Sequence, residues 1–238
     1  MNLEILPLGD NALLINFDQQ IDPEVHQQVV DLSEKLTAAH IRGIIYVQPA
    51  YCSLTIGYDH SEIEYQELKR SIQEIEPPAK VADMPGRSLV LPVCYQAPYN
   101  LDLSEISKNA GLSEQEIIRL HTTTTYRVYL LGFLPGFPYL GVLPEQLHFS
   151  RRAQPRIKIS ERSVGIAGKQ TGIYPSESPG GWNILGRTPL PIFRTDSEHP
   201  FLFKTGDQVK FEAINSQTYT TIRQDIEQAT FDWQSIYE

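Results

Sequence analysis

Two glycine-rich stretches of the sequence, residues 163–175 and 178–188, contain residue types whose spacing suits the binding of an anion. Adjacent glycines such as Gly180 and Gly181 can present consecutive backbone N–H groups to an anion, and Arg187 can pair with a carboxylate or a phosphate through two parallel hydrogen bonds. We therefore predict an anion site here. The neighbouring side chains that would orient or wall the ligand are Gln170, Thr171, Tyr174 and Trp182. The alternative is that both stretches are tight barrel turns and that Trp182 lies in the core.

Positive charge is concentrated in one part of an otherwise acidic chain. The 238 residues carry a formal net charge of −9, which argues against a general nucleic-acid-binding protein. Residues 131–194 contain eight Lys or Arg and three Glu, a net charge of +5. This excess predicts a site for an anion or a contact face for an acidic partner, and Arg156 is a further candidate anion-binding residue within it. Chance clustering on a solvated surface is the alternative.

Common catalytic motifs are absent from the sequence. There is no G-x-x-x-x-G-K-[ST] loop for a nucleotide and no G-x-S-x-G motif. The six histidines are dispersed without metal-ligand spacing, so we predict no metal site. His121 is the candidate for proton transfer, because the ordinary pKa of histidine lies near neutrality. Alternatively, its side chain interacts with the C-terminus of the helix that it is predicted to end.

A third distinctive stretch, residues 131–141, combines glycines and prolines with three aromatic residues. Glycine permits close approach of the backbone to a ligand, and proline lowers the entropy cost of ordering a loop. The pattern predicts either a stiff ligand-contacting loop or a loop whose aromatic rings are packed inside.

Residues 1–80 are predicted to form a small α+β domain. Strands are expected at residues 3–8, 12–17, 44–47 and 53–58. One helix is expected to begin at Asp22-Pro23 with Asp22 as its N-cap, and a second at Ser61 with Glu64 completing a capping box. This order is that of a ferredoxin-like unit, whose last strand would come from the segment after residue 80.

The paired prolines at the start of residues 77–86 predict a linker, because proline cannot continue a helix. Residues 87–238 form the second predicted domain, with a strand at 89–93 and two helices whose capping boxes begin at Asp102 and Ser113. Further short strands are expected at residues 126–133, 163–167, 192–193, 201–203 and 208–214. Because nine of the 15 glycines and nine of the 17 prolines lie within residues 131–200, this domain is predicted to be a closed or nearly closed antiparallel barrel.

Nothing in the sequence indicates export or a membrane span. The first residues lack the basic region of a signal peptide, and no run of 18 uncharged apolar residues occurs. We therefore expect a cytoplasmic protein whose two cysteines, Cys52 and Cys94, are reduced.

Taken together, these motifs resemble a family described as the B subunit of bacterial 5-oxoprolinase, as allophanate hydrolase subunit 1 and as a sporulation-kinase inhibitor. The segments that carry the resemblance are Gly9-Asp10, Leu120-His121, 126–128, 131–140, 151–156, 163–175, 178–188 and Gly206-Asp207. The sequence departs from the family at Val142 and Arg162, where glycine is usual. The second departure affects a turn, because arginine adopts positive φ poorly.

The resemblance implies a small N-terminal α+β domain and a cyclophilin-like barrel. It implies a protein that assembles with a homologous C subunit and a separate A subunit and is not active alone. The joint reaction would be the ATP-dependent opening of 5-oxoproline, a small anionic substrate, to L-glutamate. Activation of the amide carbonyl by ATP requires anion binding by arginine and backbone N–H groups, which the basic segment could provide. Two alternatives remain, an inhibitor of a sensor histidine kinase and a carboxyltransferase-like or allophanate hydrolase-related subunit of urea metabolism.

Overall fold

The chain divides into two units near the predicted linker. The structure, a computed structural model, describes residues 4–20, 22–75, 86–195 and 200–237. The units are Met1–Met84 and Pro85–Glu238, and the predicted linker lies outside the described residues except for Gly86. Within the described part of the chain, no helix has the length and apolar character needed to cross a membrane.

The first unit contains a four-stranded antiparallel sheet and two helices. Its elements are β1 (Glu4–Pro7), β2 (Ala12–Asn16), α1 (Pro23–Ala38), β3 (Ile44–Pro49), β4 (Ser53–Tyr58) and α2 (Tyr65–Glu74). The strand order is β1-β2-β4-β3, and all neighbouring strands are antiparallel. All four strands precede residue 59, so the described sheet uses no strand from beyond residue 80. The ferredoxin-like assignment stays a prediction.

Helix α1 begins at its predicted start, whereas the N-cap of α2 is Glu64, three residues after the predicted Ser61. The Asp22 carboxylate caps α1 by accepting hydrogen bonds from the backbone N–H groups of Glu24 (2.8 Å) and Val25 (3.1 Å). The predicted apolar face of α1 is buried, and it consists of Val25, Val29, Leu32 and Leu36. Ser61 does not cap α2, because its N–H and hydroxyl groups donate to the Asp59 carboxylate at 2.9 and 2.7 Å.

The second unit is built on a closed barrel of seven strands, which confirms the predicted barrel. Its elements are β5 (Ser88–Cys94), α3 (Leu103–Ala110), α4 (Glu114–Thr123), β6 (Thr125–Leu131), β7 (Pro138–Gly141), β8 (Arg156–Ile159), β9 (Ser163–Ala167), β10 (Gln170–Ile173), β11 (Ser178–Gly180), β12 (Asn183–Arg187), β13 (Gln208–Ile214) and α5 (Ser216–Glu227). The barrel order is β10-β7-β6-β13-β5-β12-β9, and β8 and β11 form a separate two-stranded sheet. Because β5 and β13 are parallel along their whole length, the barrel is mixed and the predicted all-antiparallel arrangement is wrong.

The glycine-rich stretches form strands, three of them in the barrel, rather than tight turns alone. Residues 163–175 supply β9 and β10, and residues 178–188 supply β11 and β12. Glycine permits the close contacts between these strands and their neighbours. A Cβ at Gly172 would lie 2.9 Å from an aromatic ring, and one at Gly186 would lie 2.6 Å from a backbone oxygen of β5.

Two local predictions for the second unit are wrong. Residues 192–193 and 201–203, predicted to be strands, contribute only an isolated β-bridge. Asp102 precedes α3 but makes no capping hydrogen bond through its side chain, whereas Ser113 caps α4 as predicted, at 3.1 Å. The Asp102 carboxylate instead accepts hydrogen bonds from side chains that are distant in the sequence.

Candidate functional site

The residues predicted to form one anion site lie at opposite ends of β12. Gly180 and Gly181 precede this strand, and Arg187 is its last residue. At about 3.3 Å per residue, the four steps from Asn183 to Arg187 span about 13 Å. Gln170 is half-buried at the start of β10, which is separated from β12 by β9. The structure therefore does not bring the predicted residues together, and each end of β12 has polar surroundings of its own.

A buried carboxylate lies at the first end of β12. The Asp102 side chain is 2% exposed, and it accepts two hydrogen bonds from Arg156 at 2.9 and 2.6 Å in a bidentate fork. Arg152 donates a third at 2.7 Å, and the backbone N–H of Ile184 donates a fourth at 2.6 Å. Arg156, which was predicted to bind an anionic ligand, is thus paired with a carboxylate of the protein itself. These four residues are called the Asp102 hub.

Gly180 and Gly181 lie beside the Asp102 hub, and close packing explains only the first of them. Gly180 is opposite Arg156 in the sheet of β8 and β11, and a Cβ there would lie 2.4 Å from the Tyr174 hydroxyl oxygen. Gly181 has room for a Cβ, with the nearest atoms at 3.7 Å. Its carbonyl oxygen accepts a hydrogen bond from the Arg152 N–H group at 2.7 Å. Gly180 is therefore required by its neighbours whether or not a ligand binds.

Tyr174 and Trp182 are core residues. They are 1% and 4% exposed, and both pack edge-on against Phe137, with ring centroids 5.2 and 5.4 Å away. Burial raises the pKa of the Tyr174 hydroxyl to about 12. This geometry favours the interpretation in which Trp182 belongs to the core rather than to a ligand wall. The aromatic stretch is partly packed in the same way, since Phe137 is buried while Phe133 is 65% exposed.

His121 lies inside the barrel with both ring nitrogens hydrogen-bonded. Its Nδ1 is 2.7 Å from the Tyr95 hydroxyl and its Nε2 is 2.9 Å from the Thr171 hydroxyl. Because the Thr171 hydroxyl donates to the Gly165 carbonyl at 3.1 Å, it accepts from Nε2–H, and Nδ1 accepts from Tyr95. The ring stacks on Phe211 with centroids 4.6 Å apart, and burial lowers its pKa to about 3. A neutral, enclosed imidazole is suited to organising the core, and this placement weighs against proton transfer to a ligand.

A polar cleft of about 440 Å³ opens next to the Asp102 hub. The side chains of Arg151, Arg152 and Asn183 contribute to its walls. The Asn183 amide donates to the Ser150 carbonyl at 2.9 Å, and the buried Nε atom of Arg152 has no hydrogen-bond partner among the described residues. Sequence reasoning missed both Asn183 and the ion-pairing role of Asp102, because the residues that meet here come from separate elements. No group of three His, Cys, Asp or Glu side chains in the described part of the chain is arranged to hold a metal ion.

Arg187, at the other end of β12, lies among tyrosines and further arginines. Its Nε donates to the Glu161 carbonyl oxygen at 2.8 Å, and one Nη lies 3.9 Å from the Glu161 carboxylate. The guanidinium lies 5.8 Å from the centroid of the Tyr99 ring, within the range of a cation–π contact. Tyr99 in turn packs on Tyr219, with ring centroids 4.5 Å apart. The arginine–tyrosine cluster is defined as Tyr99, Arg162, Arg187, Tyr219 and Arg223.

Arg162 is the most buried arginine of this cluster. Its side chain is 10% exposed and pairs through Nη2 with Glu161, while its Nε atom is buried and, in the described part of the chain, has no hydrogen-bond partner. Burial lowers the pKa of Arg162, and the positive charges of Arg223 and Arg187 also lower it. Its φ is +65°, so the turn that the sequence marks as unusual for arginine does adopt the left-handed conformation.

Helix α5 supplies the remaining members of the arginine–tyrosine cluster. Tyr219 and Arg223 are four residues apart and therefore lie on one face of the helix. Burial raises the pKa of the Tyr219 hydroxyl, and the positive charges of Arg187, Arg162 and Arg223 act in the opposite direction. All three guanidinium groups therefore lie close enough to affect this phenol. Arg223 also pairs with Glu227 one turn further along, at 2.8 Å. Sequence reasoning missed Tyr219 and Arg223, because α5 lies outside the basic segment.

The sequence matches a known family along most of its length. The profile of the family described as carboxyltransferase domain, subdomain C and D, matches residues 3–203. The chain belongs to this family. It is 36% identical over 233 residues to the B subunit of 5-oxoprolinase from Bacillus subtilis (strain 168), a match that covers 93% of this chain and 97% of that protein. It is 35% identical over 209 residues to the B subunit of 5-oxoprolinase from Haemophilus influenzae, with 88% and 97% covered. These relatives confirm the resemblance predicted from the motifs.

A solved structure of similar sequence has a similar fold. The crystal structure of TTHA0988 superposes with a TM-score of 0.78 at 33% identity and matches 86% of this chain. This chain covers 40% of the length of that protein.

Proposed function

We propose that the chain is the B subunit of an ATP-dependent 5-oxoprolinase, which opens 5-oxoproline to L-glutamate together with the A and C subunits. The observation that supports this most strongly is the match to the B subunit of 5-oxoprolinase from Bacillus subtilis, because it extends over nearly the full length of both chains at 36% identity. Similarity confined to a common barrel would not extend through both units in this way.

The chemistry of the reaction fits a chain rich in directed guanidinium groups. The lactam amide of 5-oxoproline is a poor electrophile, so coupling to ATP has to generate a better one, and the negative charge that develops needs stabilisation. In the proposal, Arg187, at the end of β12, keeps the anion-binding role, because Arg162 and Arg223 lie nearby. Arg156 serves the Asp102 hub instead, and its two hydrogen bonds to Asp102 explain why.

Proton transfer is proposed to depend on another protein of the complex. His121 is neutral and enclosed in the barrel, and its contact residue Thr171 is fully buried. With His121 inaccessible, a chain that binds the anionic substrate would need a proton-transferring group from another protein of the complex. We therefore propose that this chain is inactive alone, that its partners are the A and C subunits, and that ATP is bound within the cytoplasmic complex. The histidine-kinase role remains a prediction from the resemblance.

Reconstitution tests this proposal. The full chain is mixed with the A and C subunits from the organism that encodes it, and glutamate formed from 5-oxoproline is measured with and without ATP. We expect turnover only when ATP and all three proteins are present, and co-elution of this chain with the C subunit at micromolar concentration. A full rate from the A and C subunits without this chain would contradict the proposal, and so would separate elution of this chain and the C subunit.

A further inference from the structure

We propose that Arg162, Arg187 and Arg223, with the Tyr219 hydroxyl, form a binding site for a small oxyanion, either a carboxylate or a phosphoryl group. The proposal rests on the proposed function only for the identity of the natural ligand. The anion-binding property follows from the contacts, the burial and the charges of the arginine–tyrosine cluster.

Three separate elements bring these charges together. Arg187 ends β12 opposite Ser163 of β9, so it lies beside Arg162, which comes just before β9. The backbone continues this contact, since the Arg162 carbonyl accepts a hydrogen bond from the N–H of Thr188 at 3.0 Å. Helix α5 adds Arg223 on the same face as the buried Tyr219. Long-range packing, rather than a run of basic residues in the sequence, therefore creates the concentration of positive charge.

The acidic partners of these arginines are few and exposed. Glu161 is shared by Arg162 and Arg187, and Glu227 pairs with Arg223, so within the described residues two carboxylates face three guanidinium groups. The glutamate side chains are 49% and 63% exposed, whereas the arginine side chains are 10%, 21% and 26% exposed. Water screens the acidic groups more than the basic ones. The cluster keeps a net positive charge that a bound anion would compensate.

Arg162 provides the most direct evidence that the cluster is built for a ligand. Its side chain is nine-tenths buried, and its Nε donor has no hydrogen-bond partner among the residues that the structure describes, although buried donors are almost always satisfied. Its φ of +65° is a conformation in which glycine would be free of strain. Strained backbone of this kind is found mainly where a side chain serves a site. The planar fork of a guanidinium fits the oxygens of a carboxylate or a phosphoryl group.

Arg187 and Arg223 form the more solvent-exposed side of the cluster. Both guanidinium side chains keep about a fifth to a quarter of their surface exposed, and Tyr99 is half-buried beside them. Arg162, whose side chain is 10% exposed, lies deeper in the cluster than these two arginines. The limited exposure favours a small ligand group over an extended acidic surface.

Titration of the isolated full chain tests the site without requiring the reconstituted enzyme. Binding of inorganic phosphate, ATP, 5-oxoproline and L-glutamate is measured by calorimetry and by NMR at low ionic strength. The site variants are Arg162→Gly and Arg223→Gln, and the matched control is Arg119→Gln, whose exposed guanidinium pairs with Glu116 on α4. Arg162→Gly should keep the fold, because glycine adopts a φ of +65° without strain. A thermal melt of each variant verifies that it is folded.

We expect the wild-type chain to bind at least one of these anions. Each site variant should weaken binding roughly 10- to 150-fold, the loss of a charge-assisted hydrogen bond, while Arg119→Gln should bind like the wild type. Binding of phosphate and ATP alone would identify a phosphoryl site, and binding of 5-oxoproline and glutamate alone would identify a carboxylate site. No binding of any anion, or equal binding by folded site variants, would overturn the proposal.

The outcome is separable from that of the proposed function. If the Arg162→Gly chain no longer binds anions but a reconstituted complex that carries it keeps full turnover, the wild-type site binds an oxyanion without taking part in catalysis. A complex that does not need this chain, together with retained anion binding, would reject the proposed function and keep the site.

Discussion

Replacing Asp102 with asparagine should strongly destabilise the barrel. The carboxylate is 2% exposed and serves two arginines and the backbone N–H of Ile184. Asparagine keeps the shape and one acceptor oxygen, but it removes the negative charge and turns an NH₂ group toward other donors. The Asp102→Asn variant therefore leaves Arg156 without the carboxylate that it pairs with, whereas Arg152 keeps its pair with the exposed Glu105 at 3.0 Å.

The size of the effect follows from how deeply the pairs are buried. Breaking a buried ion pair by changing one partner costs about 3–5 kcal/mol. Arg152 and Arg156 are 28% and 25% exposed, so water can solvate part of their charge in the variant, and we expect a loss of about 2–4 kcal/mol. For a protein of this size, 1 kcal/mol lowers Tm by about 2–4 °C. The expected decrease in Tm is therefore about 4–16 °C.

Thermal and urea unfolding of the full chain, followed by circular dichroism, measures this loss. The matched control is Glu116→Gln, which removes the exposed pair between Arg119 and Glu116 on α4 and should leave Tm unchanged. If Asp102→Asn lowers Tm no more than this control does, the Asp102 hub does not stabilise the barrel, and its arginines would have to be regarded as available to a ligand.

Two further predictions concern the glycines beside the Asp102 hub and the buried histidine. Gly180→Ala should lower the free energy of unfolding by about 1–3 kcal/mol through overpacking, because its Cβ would lie 2.4 Å from the Tyr174 hydroxyl oxygen. Gly181→Ala should be tolerated, because its Cβ has room. Equal urea midpoints for the two variants would contradict this prediction. Since His121 has a pKa of about 3 when folded and 6.5 as its ordinary value, the unfolded chain takes up a proton that the folded chain does not. Stability should therefore fall as pH decreases below 6.5, by about 1.4 kcal/mol per pH unit and by about 2 kcal/mol at pH 5. His121→Gln should remove this part of the pH dependence, and an unchanged pH slope in that variant would show that another group is responsible.

Local signals in the sequence predicted those elements whose residues alternate or cap in the usual way. The N-cap at Asp22 and the strands at 53–58, 163–167 and 208–214 were predicted with their observed bounds. Glycine has no side chain to show alternation, so the sequence around Gly172 and Gly186 predicted an anion site or tight barrel turns instead of strands. Their glycines instead allow close contact between neighbouring barrel strands.

The candidate sites were less predictable, because their contacts join distant parts of the chain. Asp102 meets Arg152 and Arg156 from 50 and 54 residues away, and spacing within one segment contains no sign of this. The contacts of Arg187 are also long-range. The sequence predicted that Arg187 would share an anion site with Gly180 and Gly181. The structure gives it arginines and tyrosines, two of them from α5 and another from the turn before β9.

The barrel cannot close until β13 has been synthesised, because β5 pairs along its length with this much later strand. Along its length β5 is paired with β13, while its contact with β12 is limited to Cys94 opposite Arg187. At about 5–20 residues per second, a ribosome needs roughly 6–23 s to proceed from the end of β5 to the start of β13. During that interval β5 has an unpaired edge, which can join other chains, and apolar side chains that no barrel yet covers. The nascent protein should therefore depend on chaperones until residue 214 has emerged, and early termination before β13 should yield aggregates rather than a shortened barrel.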